Sequence, residues 1–412
     1  MASSNSLLSS LVIAQGPQPD TWLSTTLWKP RGARGVFGGH VIALAIAAAN
    51  KSIEQPGMGL HSQHCYFILP ADPDVVIEFK VERMRDGRSY ATRVVRALQN
   101  GKSVFVLAAS YSRGAGGAIM GGSPFSFIPT TNGIKDTKAS VEKDAKDPAL
   151  SHSLRFAVES TKDAQRTQKT AMWDAQTNED IDRVHEKKHV SWREREGAAM
   201  PPFTPSWHIP FPEGVSSYEE SVEEEMRWQK FLDERSNMVE DKARKYIQEY
   251  IQERTESPVS IAVARREPGQ PRNVRMIWLR ARLSPDEKPS TEDIKAMIGY
   301  MTDFQFIGTA ARSVGLTSAS KPRLGMLATL DHTTHFYPFP PDLDASRPML
   351  HVMEAAITDV NSGRGIVRGL VYTDKGVLIA VTSQEGVVRA DTRGMGERGV
   401  TEGGGFEGKA KL

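Results

Sequence analysis

Cysteine is almost absent from this 412-residue chain, where Cys65 stands alone. A single thiol excludes an internal disulfide and suits a reducing or disulfide-free compartment. It also leaves no Cys-His framework for zinc. Cys65 falls in a strand-like run, where a buried structural thiol is expected rather than a nucleophile. A charge excess is missing too: Lys and Arg number 52 against 50 Asp and Glu, a net charge of +2. That balance points to neither a nucleic-acid partner nor an anionic membrane surface. No apolar run has the length of a membrane span. The start, MASSNSLLSSLVIAQG, lacks the basic opening of a signal peptide. No G-x-S-x-G elbow occurs, which disfavours a Ser-His-Asp esterase. His61, His64, His332 and His335 lie at short spacings, but neighbours along a strand face opposite ways, so Asp331 and His332 should not act together. No metal and no cofactor are expected.

What is present is one structural sentence written twice. An apolar helix-like run, GGHVIALAIAAAN from Gly38, precedes the strand-like runs GLHSQHCYFIL, VVIEFKVERM and YATRVVRALQNGKSVFVLAASY. A longer apolar run, TEDIKAMIGYMTDFQFIGTAARS from Thr291, reads as one helix with Ser290 as its N-cap. It precedes LGMLATLDHTTHF, PMLHVMEAAI and GRGIVRGLVYTDKGVLIAVTSQEGVV. Each copy ends in a hairpin turned at glycine. Asn100-Gly101 carries a type I′ signature, and Lys375-Gly376 turns the second. A helix apolar on all sides must be covered, and the strands that follow can wrap it. The expected units are 8–129 and 258–392. Between them, 130–257 is charged and partly helical, with prolines at 201, 202, 205, 210 and 212. Ser221 and Glu224 suggest a capping box opening one docked helix through about Glu253. The tail 393–412 is glycine-rich and flexible.

The two apolar helices differ in one respect. Asp303 lies among Tyr300, Met301, Phe304 and Phe306, whereas the first helix has no acid. A carboxylate in such company costs several kcal/mol of desolvation unless hydrogen-bonded or protonated. Two further polar residues interrupt apolar strands of the same unit, Thr329 in GMLATLDH and Gln384 after GVLIAVTS.

The segments RGVFGGHVIALAIAAAN, IGYMTDFQF, LATLDHT and GVLIAVTSQEGVVR resemble the type II acyl-CoA thioesterases, the TesB-like and peroxisomal enzymes. So does the long run from Leu60 to Ser110. The resemblance covers both repeats but neither the charged middle nor the tail. It implies an α+β double hotdog fold, two antiparallel sheets each wrapped round a central helix. It implies hydrolysis of fatty acyl-CoA, with Asp303, Thr329 and Gln384 as the catalytic residues. These types suit direct attack by water on a thioester, with a carboxylate as base and a hydroxyl and an amide to hold the water. Backbone N–H groups would serve the oxyanion. His40 departs from the family, which usually has Gln after FGG.

Arg83, Arg88, Arg364 and Arg368 are candidate contacts for the phosphates of CoA. Two alternatives stay open: a hotdog enoyl-CoA hydratase, which would need an Asp-His arrangement, or a non-catalytic acyl-CoA-binding protein. Paired hotdog units often associate, so a homo-oligomer is a further expectation.

Ala410-Lys411-Leu412 matches the small-basic-leucine address read by the peroxisomal import receptor. A fluorescent protein fused ahead of the chain is expected in peroxisomes, and loss of Leu412 should leave it cytosolic. Diffuse signal from the intact fusion would contradict this, as would peroxisomal signal that survives the truncation.

Overall fold

The computed structural model describes residues 6–114, 209, 211–212, 214–235, 239–264, 272–317, 320–359 and 361–391. The targeting tripeptide Ala410, Lys411 and Leu412, most of the charged middle and the glycine-rich tail lie outside the described residues.

The N-terminal half begins with α1 (Leu7–Ser10), β1 (Ile13–Gln15) and β2 (Thr21–Ser24). Next come the apolar helix α2 (Gly38–Lys51) and four strands: β3 (Met58–Phe67), β4 (Glu78–Asp86), β5 (Tyr90–Gln99) and β6 (Lys102–Arg113). The later part holds β7 (Val222–Glu223), α3 (Glu224–Glu234), α4 (Asp241–Glu256), β8 (Val259–Val263) and β9 (Val274–Ala281). Then follow α5 (Thr291–Thr302), α6 (Phe306–Ser313), β10 (Arg323–Thr329) and β11 (Asp331–Phe336). The last strands are β12 (Met349–Asp359), β13 (Arg364–Thr373) and β14 (Leu378–Asp391).

The strands form one antiparallel sheet in the order β1-β2-β4-β5-β6-β3-β11-β14-β13-β12-β9-β8-β7, with β10 also on β14. The halves join where β3 pairs with β11, His332 opposite Cys65 and Thr334 opposite Gln63. Side chains alternate along β11 and the later part of β14. On β14 the residues Thr382, Gln384, Gly386 and Val388 turn inward and their neighbours outward. This is a double hotdog, with two helices held in the curve of a shared sheet. Asn100 and Gly101 both have positive φ, as a type I′ turn requires. Cys65 is buried and donates to the His332 carbonyl at 3.3 Å.

α2 and α5 lie antiparallel at the centre. Glycine on each allows the contact: a Cβ on Gly39 would overlap the Tyr300 carbonyl, and one on Gly299 would press on Ile42 and Ile46. α5 is capped as expected, since Ser290 accepts from Asp293 N–H while Asp293 accepts from Ser290 N–H. Two readings are corrected. The run from Thr291 is not one helix. It breaks after Thr302 and restarts at Phe306, because Gln305 adopts a left-handed φ of +58°. The stretch from Ser221 is not one helix opened by a capping box either. Ser221 bonds the Ser217 carbonyl, Glu223 caps α3 without a side-chain bond, and α4 is a separate helix. Glu224 is drawn instead into the core, as shown below. β7 pairs with β8, so the C-terminal sheet reaches back to Val222.

Gly39→Ala is expected to force α2 and α5 apart and lower the unfolding free energy by about 1–3 kcal/mol, the usual effect of overpacking. Urea denaturation measures it, and wild-type stability would show that the helices are not in this contact.

Candidate active site

Three residues from separate elements meet at one end of the helix pair. Asp303 caps the C-terminus of α5. Gln384 projects inward from the middle of β14, fully buried. Thr329 ends β10, opposite Gly386 of β14. Gln384 Nε2 donates to Asp303 Oδ1 at 2.6 Å. The Thr329 hydroxyl also bonds the Asp303 carboxylate. The other half of the chain adds a third donor, since Gly39 N–H, in the first turn of α2, donates to Asp303 Oδ2 at 2.8 Å. A side chain at Gly38 would also intrude, its Cβ falling 2.7 Å from Asp303 Oδ2.

Burial raises the Asp303 pKa above the ordinary carboxylate value, and the bonds from Gln384, Gly39 and Thr329 pull it partway back. A carboxylate offers about four lone-pair sites, so three donors leave room for a fourth. Gln384 Oε1 is buried with no hydrogen-bond partner. The site therefore presents a base and an adjacent unfilled acceptor, both suited to a water molecule.

The turn that carries Asp303 is held from outside the helix pair. Gln305 Nε2 donates to Glu224 Oε1 at 2.8 Å. The other oxygen of Glu224 accepts from Tyr250 of α4 at 2.7 Å, and Arg275 approaches to 3.9 Å. Glu224 is buried, so its charge is tied to these partners. Arg254 of α4 lies over the Phe304 ring at 4.9 Å. A cleft of about 240 Å³ opens beside the turn, lined by Trp28, Phe37, Phe304 and Gln305 and by Tyr246, Tyr250 and Arg254 of α4.

Sequence reasoning missed Gly39, Glu224 and Gln305. The adjacent glycines Gly38 and Gly39 opening an apolar helix were the available signal for the first. No local signal marks the other two.

The remaining candidates are placed as follows. Arg83 is tied to Asp20 and Glu54, both bonds at 2.7 Å. Glu54 follows the C-terminus of α2, so Arg83 and the neighbouring Arg88 stand about one helix length, roughly 20 Å, from Asp303. Arg364 and Arg368 lie on the outer face of β13 beside the strand that bears Gln384. Arg364 pairs with Glu385 at 3.0 Å, and Arg368 stands across from Glu354.

His40 is structural. Its Nδ1 accepts from Trp28 N–H at 3.2 Å and its Nε2–H donates to the Ser10 carbonyl at 2.9 Å, and burial pushes its pKa down to about 4. His332 turns into the core toward Thr302 and Gln63, while Asp331 accepts from Glu385 N–H. The pair thus diverges as alternation requires. His64 and His335 face each other at 5.3 Å, and no group of three or more His, Cys, Asp or Glu among the described residues is arranged to hold a metal.

Residues 25–112 match the acyl-CoA thioesterase N-terminal domain, and residues 224–388 match the acyl-CoA thioesterase C-terminal domain. The chain belongs to the acyl-CoA thioesterase family. As a member it is a thioester hydrolase acting on acyl-CoA. It is 24% identical over 387 residues to acyl-coenzyme A thioesterase 8 of Mus musculus, covering 93% of this chain and 89% of that protein. Over 76 residues, 18% of this chain and 22% of that one, it is 32% identical to peroxisomal acyl-coenzyme A thioester hydrolase 1 of Saccharomyces cerevisiae. A solved TesB protein of Mycobacterium avium superposes with a TM-score of 0.53 at 14% identity, over 92% of this chain and 97% of that one. That likeness shows a shared fold.

Glu224→Ala would leave the Gln305 amide and Tyr250 hydroxyl without their acceptor in a buried place. The thioesterase is expected to lose about 3 kcal/mol of stability, with Glu224→Gln losing less. Urea unfolding followed by tryptophan fluorescence measures both, and an unchanged midpoint for Glu224→Ala would refute the arrangement.

Proposed function

We propose that this thioesterase hydrolyses fatty acyl-CoA by direct attack of a water held between Asp303, Gln384 and Thr329. The observation that carries the reading is the Asp303–Gln384 pair, in which the amide donates to the base and its own oxygen is left unpartnered. One hydrogen of the water points to Asp303 and the other to Gln384 Oε1. The water oxygen attacks the thioester carbonyl carbon as its proton passes to Asp303. The C–S bond then breaks, and the CoA thiolate recovers that proton from Asp303. No covalent intermediate forms on the protein. The first turn of α2 brings its positive end to the site, where developing negative charge on oxygen is favoured.

The aromatic cleft beside Phe304 suits an acyl chain, and Arg364 and Arg368 suit the phosphates of CoA along the outer face of the sheet. A hydratase would want an imidazole at Asp303. His332, one strand away, is instead committed to Thr302 and Gln63, with burial pushing its pKa down to about 3. A peroxisomal location is supported by the yeast relative, whose name places it in that organelle.

Asp303→Asn is expected to lower kcat for palmitoyl-CoA by about a hundredfold or more, the usual weight of a general base. Gln384→Ala and Thr329→Ala should each lower it less, and neither should add fully to Asp303→Asn, because the three hold one water. Thiol release measures each, and near wild-type kcat in Asp303→Asn would remove the residue from its role.

The pH profile supplies a second check. Asp303 must be ionised to act, so kcat/KM should fall as pH drops through its pKa. Because burial raises that pKa, the acid limb should lie above the ordinary carboxylate value of about 4. A limb at or below that value would contradict the burial argument.

A further inference from the structure

The helix pair has two ends, and only one has been used. Because α2 and α5 run antiparallel within two copies of one fold, the surroundings of Asp303 should have a counterpart at the far end. There the C-terminus of α2 meets the N-terminus of α5. A cavity of about 550 Å³ lies at that place, within the range of small-molecule sites. Asn50, in the last turn of α2, stands where Asp303 stands on α5. Tyr111 of β6 donates to Asn50 Oδ1 at 2.8 Å. β6 corresponds to β14, since each is the second strand of its copy's hairpin. Tyr111 thus contacts Asn50 much as Gln384 contacts Asp303.

The chemistry differs in one decisive way. An amide accepts no proton from water at neutral pH, and the carboxylates nearby are engaged elsewhere, Glu292 by the Leu60 N–H and Lys295 and Asp293 by Ser290, so no base stands at Asn50. With Oδ1 occupied by Tyr111, the Asn50 Nδ2 hydrogens are the free donors, suited to a carbonyl oxygen. Leu11, Ile13 and Met58 supply apolar wall for a chain. Glu292 and Asp293 line the cavity against the single cation Lys51, and this net negative lining disfavours the carboxylate of a free fatty acid over a neutral thioester. Outside the cavity, β5 begins beside the end of β6, with Tyr90 opposite Ser112. Gln55 of the wall donates to Asp86 at 3.0 Å, and Arg113, next along β6 from Ser112, bonds the Arg88 carbonyl, so the turn that carries the exposed Arg85 and Arg88 adjoins the cavity wall.

We propose that the N-terminal copy holds a second acyl-CoA molecule, bound through its acyl chain and thioester carbonyl at Asn50 and left unhydrolysed. The inference rests on the reading that the Asp303 end takes acyl-CoA.

The test is isothermal titration of the full chain with a ketone analogue of palmitoyl-CoA, in which a methylene separates carbonyl from sulfur. Two molecules should bind per chain with unequal affinity. Val12→Trp fills the mouth from a residue 53% exposed, so it should fold, and it should bind one. Asn50→Leu should also bind one, with a melting curve confirming its fold. Arg88→Glu should weaken the second site about fivefold, the weight of one exposed ion pair. Free palmitate should not displace the second molecule.

One molecule per chain in the wild type overturns the proposal, as do two in Val12→Trp or displacement of the second by palmitate. Thiol release on the same preparation separates the two readings. Hydrolysis with a single analogue bound removes the second site alone. Two bound without hydrolysis would remove the catalytic reading and leave the site.

Discussion

The close approach of α2 and α5 is the constraint on which the other features depend. Two apolar helices can be buried side by side only if their backbones come near enough to leave no void. Gly39 and Gly299 supply that nearness. The same approach carries the first turn of α2 onto the carboxylate at the end of α5, where Gly39 N–H bonds Asp303. Packing and chemistry therefore share one contact. The continuous sheet, closed by β3 on β11, holds both helices in one curve and places Gln384 across from the carboxylate.

A buried carboxylate is expensive unless it is matched by donors. Asp303 is matched by a backbone amide, a side-chain amide and a hydroxyl rather than by a cation. Neutral donors offset part of the cost of burying its charge without cancelling that charge. The left-handed Gln305 that ends α5 is an unfavourable conformation for a side-chain-bearing residue. Its bond to Glu224 holds it there. The region between the two copies thus reaches the Asp303 turn through α3 and α4, and Arg254 over Phe304 adds to the same brace.

The two copies repeat one contact with different residues. At one end an acid meets a glutamine, at the other an asparagine meets a tyrosine. A carboxylate at the first position can accept a proton, and the amide at the second cannot.

Much of this was legible in the chain itself. Repetition of an apolar run followed by alternating strands pointed to the double architecture, because a helix apolar on all sides must be covered and the strands that follow it can do so. Period-two alternation placed Asp331 and His332 on opposite faces, and Asn100-Gly101 determined its hairpin. Its place as the one acid in the apolar stretch beyond the first turn of its run marked Asp303, and the resemblance carried by TDF, LATLDH and SQEG paired it with Thr329 and Gln384. Other features had no local signature. The break at Gln305 was hidden because its neighbours continue the apolar pattern of a helix. The Ser221 box failed because Glu224 gained more from Gln305, Tyr250 and Arg275, distant in sequence, than from the end of its own helix. Which arginines lie near Asp303 depended on which end of α2 each hairpin reaches. The sequence by itself determined the elements and the reactive side chains, since these follow from periodicity and residue type. Their meeting at one point, with Gly39 of one half on Asp303 of the other, was decided only by the antiparallel packing of two helices across a shared sheet.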